Sequence, residues 1–384
     1  MTTARSIFRS RASDAAILAG IFWCVGGIDV EAPQIDRVVL LIAGAALFWL
    51  SLRGRDQGPF IAWYAVLIAA SERLPRQVIV GSDVLSATQE AIVNLLGGLN
   101  PYTTPLLSTV PPGSPLVYPP GELAFYLPAQ LLAGDITGVD KISGILTVVA
   151  IAFCGLRLGW DCVALPAMLY ATWGIGSFRA IDGSNDVSAA FVVVLALAML
   201  VFADRETRVG KVAFVVSAIA FGWAVAFKQF AVVILPLVLR HLAVTGRDWR
   251  RYGLISLAAI AAFIVPFLLW APGPFLSQQA ATLTFHTNVW GANLLAVLQE
   301  YTDVTGWIPF FVAAEIVVTL GLFALFLRAR LATLGAATFA GCAVVLCALL
   351  FARWTTQPYY VYLGGVAAMA LALVDRDAQA VPKT

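Results

Sequence analysis

Charge is what this sequence has least of. Of its 384 residues only 12% are Asp, Glu, Lys or Arg, while 60% are hydrophobic, and mean hydropathy is +0.87. A soluble domain carries roughly 25% charged residues. A soluble protein of this length would lack the polar side chains to cover its surface, which excludes a soluble enzyme, a disordered chain and a nucleic-acid binder. The formal net charge of +2 offers nothing to a polyanion. There are two histidines and five cysteines (Cys24, Cys154, Cys162, Cys342 and Cys347), with no Cys-x-x-Cys pair. The cysteines sit in or beside apolar runs, as small helix residues do, so no zinc site or disulfide framework is expected. No phosphate-binding Gly-rich loop, dinucleotide fingerprint or His-Glu-x-x-His is present. No metal or cofactor is expected.

What is present is a series of apolar runs, near 15–30, 37–52, 59–80, 119–134, 142–156, 162–178, 187–203, 212–227, 229–239, 253–271, 306–327, 332–350 and 358–374. Several are shorter than the ~20 residues a straight span of the bilayer core needs, which a multi-helix bundle tolerates. The predicted fold class is all-α, a polytopic membrane bundle read as one integral domain over 1–384.

The distribution of basic residues sets the topology. The stretches 81–118 and 272–305 contain no Lys or Arg, which puts both on the non-cytoplasmic side. If every run crossed, the basic connections 204–211 and 240–251 would lie outside as well. If 119–134 does not cross, seventeen of the 24 Lys and Arg fall inside. Prolines at 111, 112, 115, 119, 120 and 128 fit a broken or interfacial segment there. The expectation is therefore twelve spans and both termini cytoplasmic. It includes an N-terminal helical hairpin over 1–58, an outer loop over 81–141 with juxtamembrane helices, and a second outer loop over 272–305.

Under this topology the outer face gathers Asp83, Glu90, Glu122, Asp182, Asp186, Lys228, His286 and Arg353. Charged groups near the membrane are paired or functional because of their insertion cost. Asp83 precedes an amphipathic helix expected over 84–96, where it reads either as an N-cap or as a reactive carboxylate. Gly97, Gly98 and Asn100-Pro101 then turn the chain, and Tyr118 with two prolines makes a stiff extended piece. Asp182 and Asp186 flank Gly183-Ser184-Asn185, as helix caps or as substrate contacts. Lys228 lies between two short apolar runs.

An acid beyond a span, an interfacial helix, Gly-Leu-Asn-Pro-Tyr at 98–102 and Tyr-Pro-Pro-Gly-Glu at 118–122 together resemble the polyprenyl-phosphate-sugar-dependent glycosyltransferases of the GT-C superfamily, in particular the family 87, mannosyltransferase-like type. Gly-Ser-Asn-Asp at 183–186, Phe-Lys-Gln-Phe at 227–230 and Arg-Trp-Thr-Thr-Gln-Pro-Tyr-Tyr at 353–360 fit the same pattern. The sequence departs from that pattern in having two extra apolar segments before the acid, and in an acid that stands alone. The resemblance implies inverting transfer of a sugar, mannose or another hexose or pentose, from a polyprenyl-phosphate donor to an acceptor hydroxyl on a lipid, a glycan or a protein. The reaction would occur at the extracytoplasmic face of a bacterial plasma membrane, in contact with membrane lipids. It implies Asp83 as general base, and Lys228 and Arg353 against the donor phosphate. It places Asp182, Asp186, Asn100, Tyr102, Tyr118, Glu122, His286, Asn293, Gln357 and Tyr360 near substrate. A secondary transporter or lipid-sugar flippase, and a non-catalytic assembly subunit, are the competing readings. The first would need internal repeats and charges at the membrane midplane.

Overall fold

The computed structural model describes residues 57–79, 82–204, 206–284 and 289–380. The hairpin expected over 1–58 and His286 lie outside the described residues, apart from the last two positions of the hairpin. The chain is an integral membrane protein and almost wholly helical. In order, the helices are α1 (Gly58–Arg73), α2 (Val84–Leu96), α3 (Pro120–Ala133), α4 (Val139–Phe153), the single turn α5 (Gly155–Leu158), α6 (Trp160–Ala171), α7 (Gly174–Arg179) and α8 (Asp186–Phe202). They continue with α9 (Arg208–Phe227), α10 (Ala231–Val244), α11 (Trp249–Trp270), α12 (Pro272–Thr284), α13 (Leu294–Gln299), α14 (Ile308–Arg328), α15 (Leu334–Phe351) and α16 (Gln357–Ala380). Two short strands, β1 (Trp290–Gly291) and β2 (Trp354–Thr355), pair in parallel, Trp290 opposite Trp354.

The apolar runs from 59 onward coincide with these helices; the runs 15–30 and 37–52 lie outside the described residues. Six helical stretches among the described residues are long and apolar enough to cross a bilayer: 139–158, 208–227, 249–270, 305–328, 334–351 and 357–374. The helices α1, α6, α8 and α10 are shorter and pack inside the same bundle. Helix α3 has 14 residues, about 21 Å at 1.5 Å per residue, against a hydrocarbon core of about 30 Å.

Helix α8 is the hub. Its sequence, Asp-Val-Ser-Ala-Ala followed by an unbroken apolar run, has no polar stripe, and a helix apolar on all sides belongs inside. It packs on α4, α9 and α16, and Val187, Val193, Val194 and Leu197 are fully buried. Small residues let the backbones close up. A Cβ on Gly222 of α9 would lie 2.3 Å from the Ser256 carbonyl of α11, and one on Gly121 of α3 would lie 2.5 Å from the Ala226 carbonyl of α9. The second contact presses the start of α3 against the end of α9.

Connections alternate between two ends of the bundle. At one end Arg157 pairs with Asp204 at 3.6 Å. There the Arg247 guanidinium donates to the Ala203 carbonyl at 2.6 Å, and Arg240 donates to the Ala329 carbonyl at 3.3 Å. Thr207 and Asp248 cap α9 and α11, each filling one of the open N–H positions of a helix start. The other end holds residues 74–79, 82–119, 172–185, 228–230, 271–284, 289–307 and 352–356, and there Asp83, Glu90, Asp182 and Asp186 collect.

Candidate functional site

Three backbone hydrogen bonds stitch the first loop to the α7–α8 turn. Ile79 N donates to the Ile181 carbonyl at 2.8 Å, Ser82 N to Asp182 at 3.0 Å, and Leu85 N to Gly183 at 2.9 Å. Asp83 is thereby held beside the Asp182–Asp186 turn. Helix α2 begins at Val84 as expected, but the Asp83 side chain does not cap it. The Ser82 hydroxyl accepts from Val84 N at 3.3 Å instead. Asp83 Oδ2 accepts from Val110 N at 2.8 Å, across the loop. Its other oxygen has no partner among the described residues.

The centre of the cluster is Lys228. The residue breaks the helix between α9 and α10 with an extended backbone, φ −149° and ψ 135°, and its side chain is 2% exposed. Its Nζ donates to Asp186 Oδ1 at 2.6 Å and to Asn185 Oδ1 at 2.7 Å. The rings of Tyr359, Tyr118 and Phe230 surround it at 5.1, 5.5 and 5.8 Å, within the range of cation–π attraction. A buried ammonium is tolerable only with such partners, because its solvation must be replaced.

Asn185 relays this arrangement to Glu122. Its amide donates to Glu122 Oε1 at 2.7 Å, and the Thr88 hydroxyl donates to the same oxygen at 2.8 Å. Glu122 Oε2 is buried without a partner. Burial raises this carboxyl to about 7, against the opposing effect of its two hydrogen bonds and of Lys228. Next along, Asp140 at the start of α4 accepts from the Tyr126 hydroxyl at 2.9 Å and from Ser188. Burial pushes the Tyr118 phenol well above its ordinary value, with Tyr359 and the carboxylates of Glu122, Asp186 and Asp83 pushing the same way. Tyr118 thus stands within electrostatic range of three acids and beside the buried Lys228.

Around this core the other sequence-selected residues take definite places. Asp182 pairs with Arg179 and accepts from Ser184 N, and Arg179 donates to Gln357 Oε1 at 2.7 Å. Asn100 accepts from Tyr102 N at 2.9 Å, building the turn. The Tyr102 hydroxyl donates to the Tyr118 carbonyl at 2.9 Å, and its ring sits edge-on to Phe267 and Phe275. The two loops meet here: Leu116 N donates to Gln278 Oε1 at 2.7 Å. Asn293 caps α13 through Ala296 N at 2.8 Å, and Tyr360 donates to the Ala292 carbonyl at 2.5 Å. Trp290 N donates to the Arg353 carbonyl at 3.0 Å, and the Trp290 and Trp354 rings meet tilted with centroids 4.8 Å apart. Arg353 lies within electrostatic range of Glu315 in α14. A groove of about 640 Å³ runs along α2 beside Glu90 rather than over Lys228. No three His, Cys, Asp or Glu among the described residues converge as metal ligands.

With this geometry in place, comparison with solved structures is informative. ArnT from Cupriavidus metallidurans in the apo state superposes with a TM-score of 0.52 at 15% identity, covering 85% of this chain and 59% of ArnT. The chain shares the fold of ArnT. The same ArnT bound to undecaprenyl phosphate gives 0.52 at 14% identity, over 83% of this chain and 60% of that one. The archaeal oligosaccharyltransferase AglB from Archaeoglobus fulgidus, in complex with an inhibitory peptide and a dolichol-phosphate, gives 0.48 at 14% identity, over 83% and 50%. The chain spans about three fifths of the length of ArnT. No protein-family model and no curated protein sequence matches it.

Sequence reading selected Asp83, Asp182, Asp186, Glu122, Tyr118 and Lys228, and the fold gathers them at one end. It did not select Thr88, Asp140, Tyr126, Arg179 or Tyr359. Asp140 had a legible signal: Asp140, Ser143 and Thr147 form a polar stripe at i, i+3 and i+7 on an otherwise apolar helix. Arg73 also went unselected; it is fully buried, donating to the carbonyls of Ala69, Ala171 and Tyr170 with its guanidinium over the Tyr170 ring at 5.6 Å.

Proposed function

We propose that this protein is a membrane glycosyltransferase that moves a sugar from a polyprenyl-phosphate donor to a hydroxyl of a lipid or glycan acceptor. The finer reading is the family 87, mannosyltransferase-like type, inverting, with mannose or another hexose or pentose as the sugar. It would work as one twelve-span domain with the acid-rich end on the extracytoplasmic face of a bacterial plasma membrane. The observation that carries the reading is the stitching of 79–85 to 181–183. It sets Asp83 of the first outer loop beside the Asn185–Asp186–Lys228 cluster in a fold shared with ArnT, one structure of which is bound to undecaprenyl phosphate.

The chemistry divides among named groups. A lipid-linked donor stays in the bilayer, so its reacting bond must be met at the membrane edge, where this end of the bundle lies. In the proposed mechanism Asp83 accepts the proton of the acceptor hydroxyl as its oxygen attacks the anomeric carbon. A positioned carboxylate contributes ~10²–10⁴-fold to such a step. As the glycosidic bond breaks, negative charge grows on the leaving phosphate, and fixed positive charge lowers the barrier. Arg353 supplies that charge from the β2 edge. Lys228 acts from behind its partners: its ammonium is already bonded to Asp186 and Asn185, so it sets their orientation and adds its field. Tyr118, Asp182, Gln357, Tyr360 and Asn293 shape the walls, and Asn100 and Tyr102 hold the loop that carries Tyr118. His286 is assigned to the same outer loop by sequence alone.

The test supplies purified full-length protein in detergent with polyprenyl-phosphate sugars and measures sugar release and transfer. Donor-dependent transfer supports the reading. Transport of the intact donor across a vesicle bilayer without any sugar transfer would favour the flippase reading and refute this one.

A further inference from the structure

The groove along α2 has a chemistry of its own. It is lined on one side by Ser82 and by positions 85, 86, 89, 90 and 93, which recur at helical spacing on a single face of α2, and on the other by Leu107, Ser108 and Thr137. Its volume, about 640 Å³, falls within the ~300–1,000 Å³ of small-molecule sites. Glu90 builds the far wall: its two oxygens accept from Leu107 N at 2.9 Å and from Ser108 N at 2.8 Å, and Ser108 Oγ donates to it at 2.6 Å. Two residues further on, Val110 N is tied to Asp83 Oδ2. One stretch of loop therefore walls the groove and positions the carboxylate.

The lining is rich in hydroxyls that retain hydrogen-bonding capacity. Ser82 Oγ uses a lone pair on Val84 N and keeps its proton. Thr137 Oγ1 spends its proton on Asp135 and keeps its lone pairs. Ser86 has neither role among the described contacts. Gln89 donates to the Gly134 carbonyl at 3.2 Å, which leaves its own carbonyl. Leu85, Val93 and Leu107 give apolar faces between them. Among the described residues no Lys or Arg lines the groove; Glu90 lines it, and Asp83 and Asp135 bond Val110 and Thr137 of its loop walls. Hydroxyl and amide groups alternating with apolar patches suit a sugar ring, which presents hydroxyl edges and C–H faces. A lining carboxylate with two more acids bound to the wall segments, and no lining cation, disfavours phosphate and carboxylate groups.

We infer that this groove is the acceptor site, and that the acceptor is an uncharged, hydroxyl-rich saccharide or polyol lying along α2 with one hydroxyl delivered to Asp83. This rests on the transferase reading above and names the substrate class of that site. The acceptor's source is either a soluble glycan or the head group of a neutral glycolipid; the recognised chemistry is the same.

The test measures binding separately from turnover. Full-length protein in nanodiscs is titrated, by saturation-transfer NMR, with methyl α-mannoside, methyl α-glucoside and a β-linked neutral disaccharide, beside glucose 6-phosphate. A second arm places a neutral glycolipid in the nanodisc. At least one neutral saccharide is expected to bind in one arm or the other, and the phosphorylated sugar at least tenfold more weakly. Ser86→Trp on the helix wall and Thr137→Trp on the exposed loop wall each weaken binding by at least tenfold, while binding of the polyprenyl-phosphate donor is retained. Two variants on opposite walls guard against one simply misfolding. Absence of neutral-saccharide binding in both arms, tighter binding of the phosphorylated sugar, or binding unchanged in both variants overturns the inference. If neutral saccharides bind and both variants block them, yet the wild type never consumes the donor, the transferase reading fails and the binding site stands.

Discussion

Removing the ammonium of Lys228 should destabilise the protein more than removing any surface charge, and the structure says by how much. Lys228 and Asp186 are 2% and 3% exposed and 2.6 Å apart, so solvent screens neither. The substitution Lys228→Met keeps the stem among Tyr118, Phe230 and Tyr359 but leaves Asp186 buried without its partner. Breaking a buried pair from one side costs about 3–5 kcal/mol, and losing the second bond to Asn185 adds about 1 kcal/mol. The double substitution Lys228→Met with Asp186→Asn removes the stranded charge and should recover most of that loss. The buried thiols of Cys154, Cys162 and Cys342 provide the readout: thermal unfolding in detergent, followed with a thiol-reactive dye, should show the single variant melting well below wild type and the double variant between them. Equal melting temperatures for the single and double variants would refute the pairing argument. An unchanged single variant would refute the burial itself.

Three further outcomes follow from the same geometry. Glu122, raised to about 7 from an ordinary 4.5, binds its proton more tightly folded than unfolded. The contribution of this group to stability therefore falls as pH rises from about 4.5 to about 7, and Glu122→Gln should flatten that part of the melting-temperature profile; an identical slope in the variant would count against it. Gly121→Ala puts a Cβ 2.5 Å from the Ala226 carbonyl, backbone that has to move; a loss of about 1–3 kcal/mol is expected, together with disturbed activity because α3 carries Glu122, and a neutral substitution would contradict the contact. Arg353→Ala should weaken donor binding at least tenfold with the fold intact, checked by donor titration against the melting curve; unchanged affinity would remove Arg353 from the phosphate site.

Fold and site were legible to different depths. The spans followed from hydropathy, because a helix in lipid must satisfy its backbone internally and advertises itself as an apolar run. The start of α2 at Val84 followed from Asp83, yet Val84 N bonds the Ser82 hydroxyl while Asp83 reaches across to Val110, a loop contact 27 residues away that local signals do not encode. The oddity of Lys228 between two apolar runs was visible. Its partners were not, because Asn185 and Asp186 lie more than forty residues off in sequence. Asp182 and Asp186 read alike as caps, but one answers to Arg179 and the other to Lys228, a distinction that only the packing of α7, α8 and α9 makes. The helix α12 and the β1–β2 pair inside and beside the second outer loop carried no periodic signal, being short and held by contacts to distant segments.

In the proposed mechanism Asp83 performs the chemistry and the cluster around Lys228 only supports it. The direct measurement is a single-turnover comparison of wild type and Asp83→Asn, with donor affinity determined in parallel. That mechanism requires a fall of ~10²–10⁴-fold in the rate of sugar transfer with the donor dissociation constant unchanged. An Asp83→Asn protein that transfers sugar at the wild-type rate, or one whose defect lies wholly in donor binding, would contradict it.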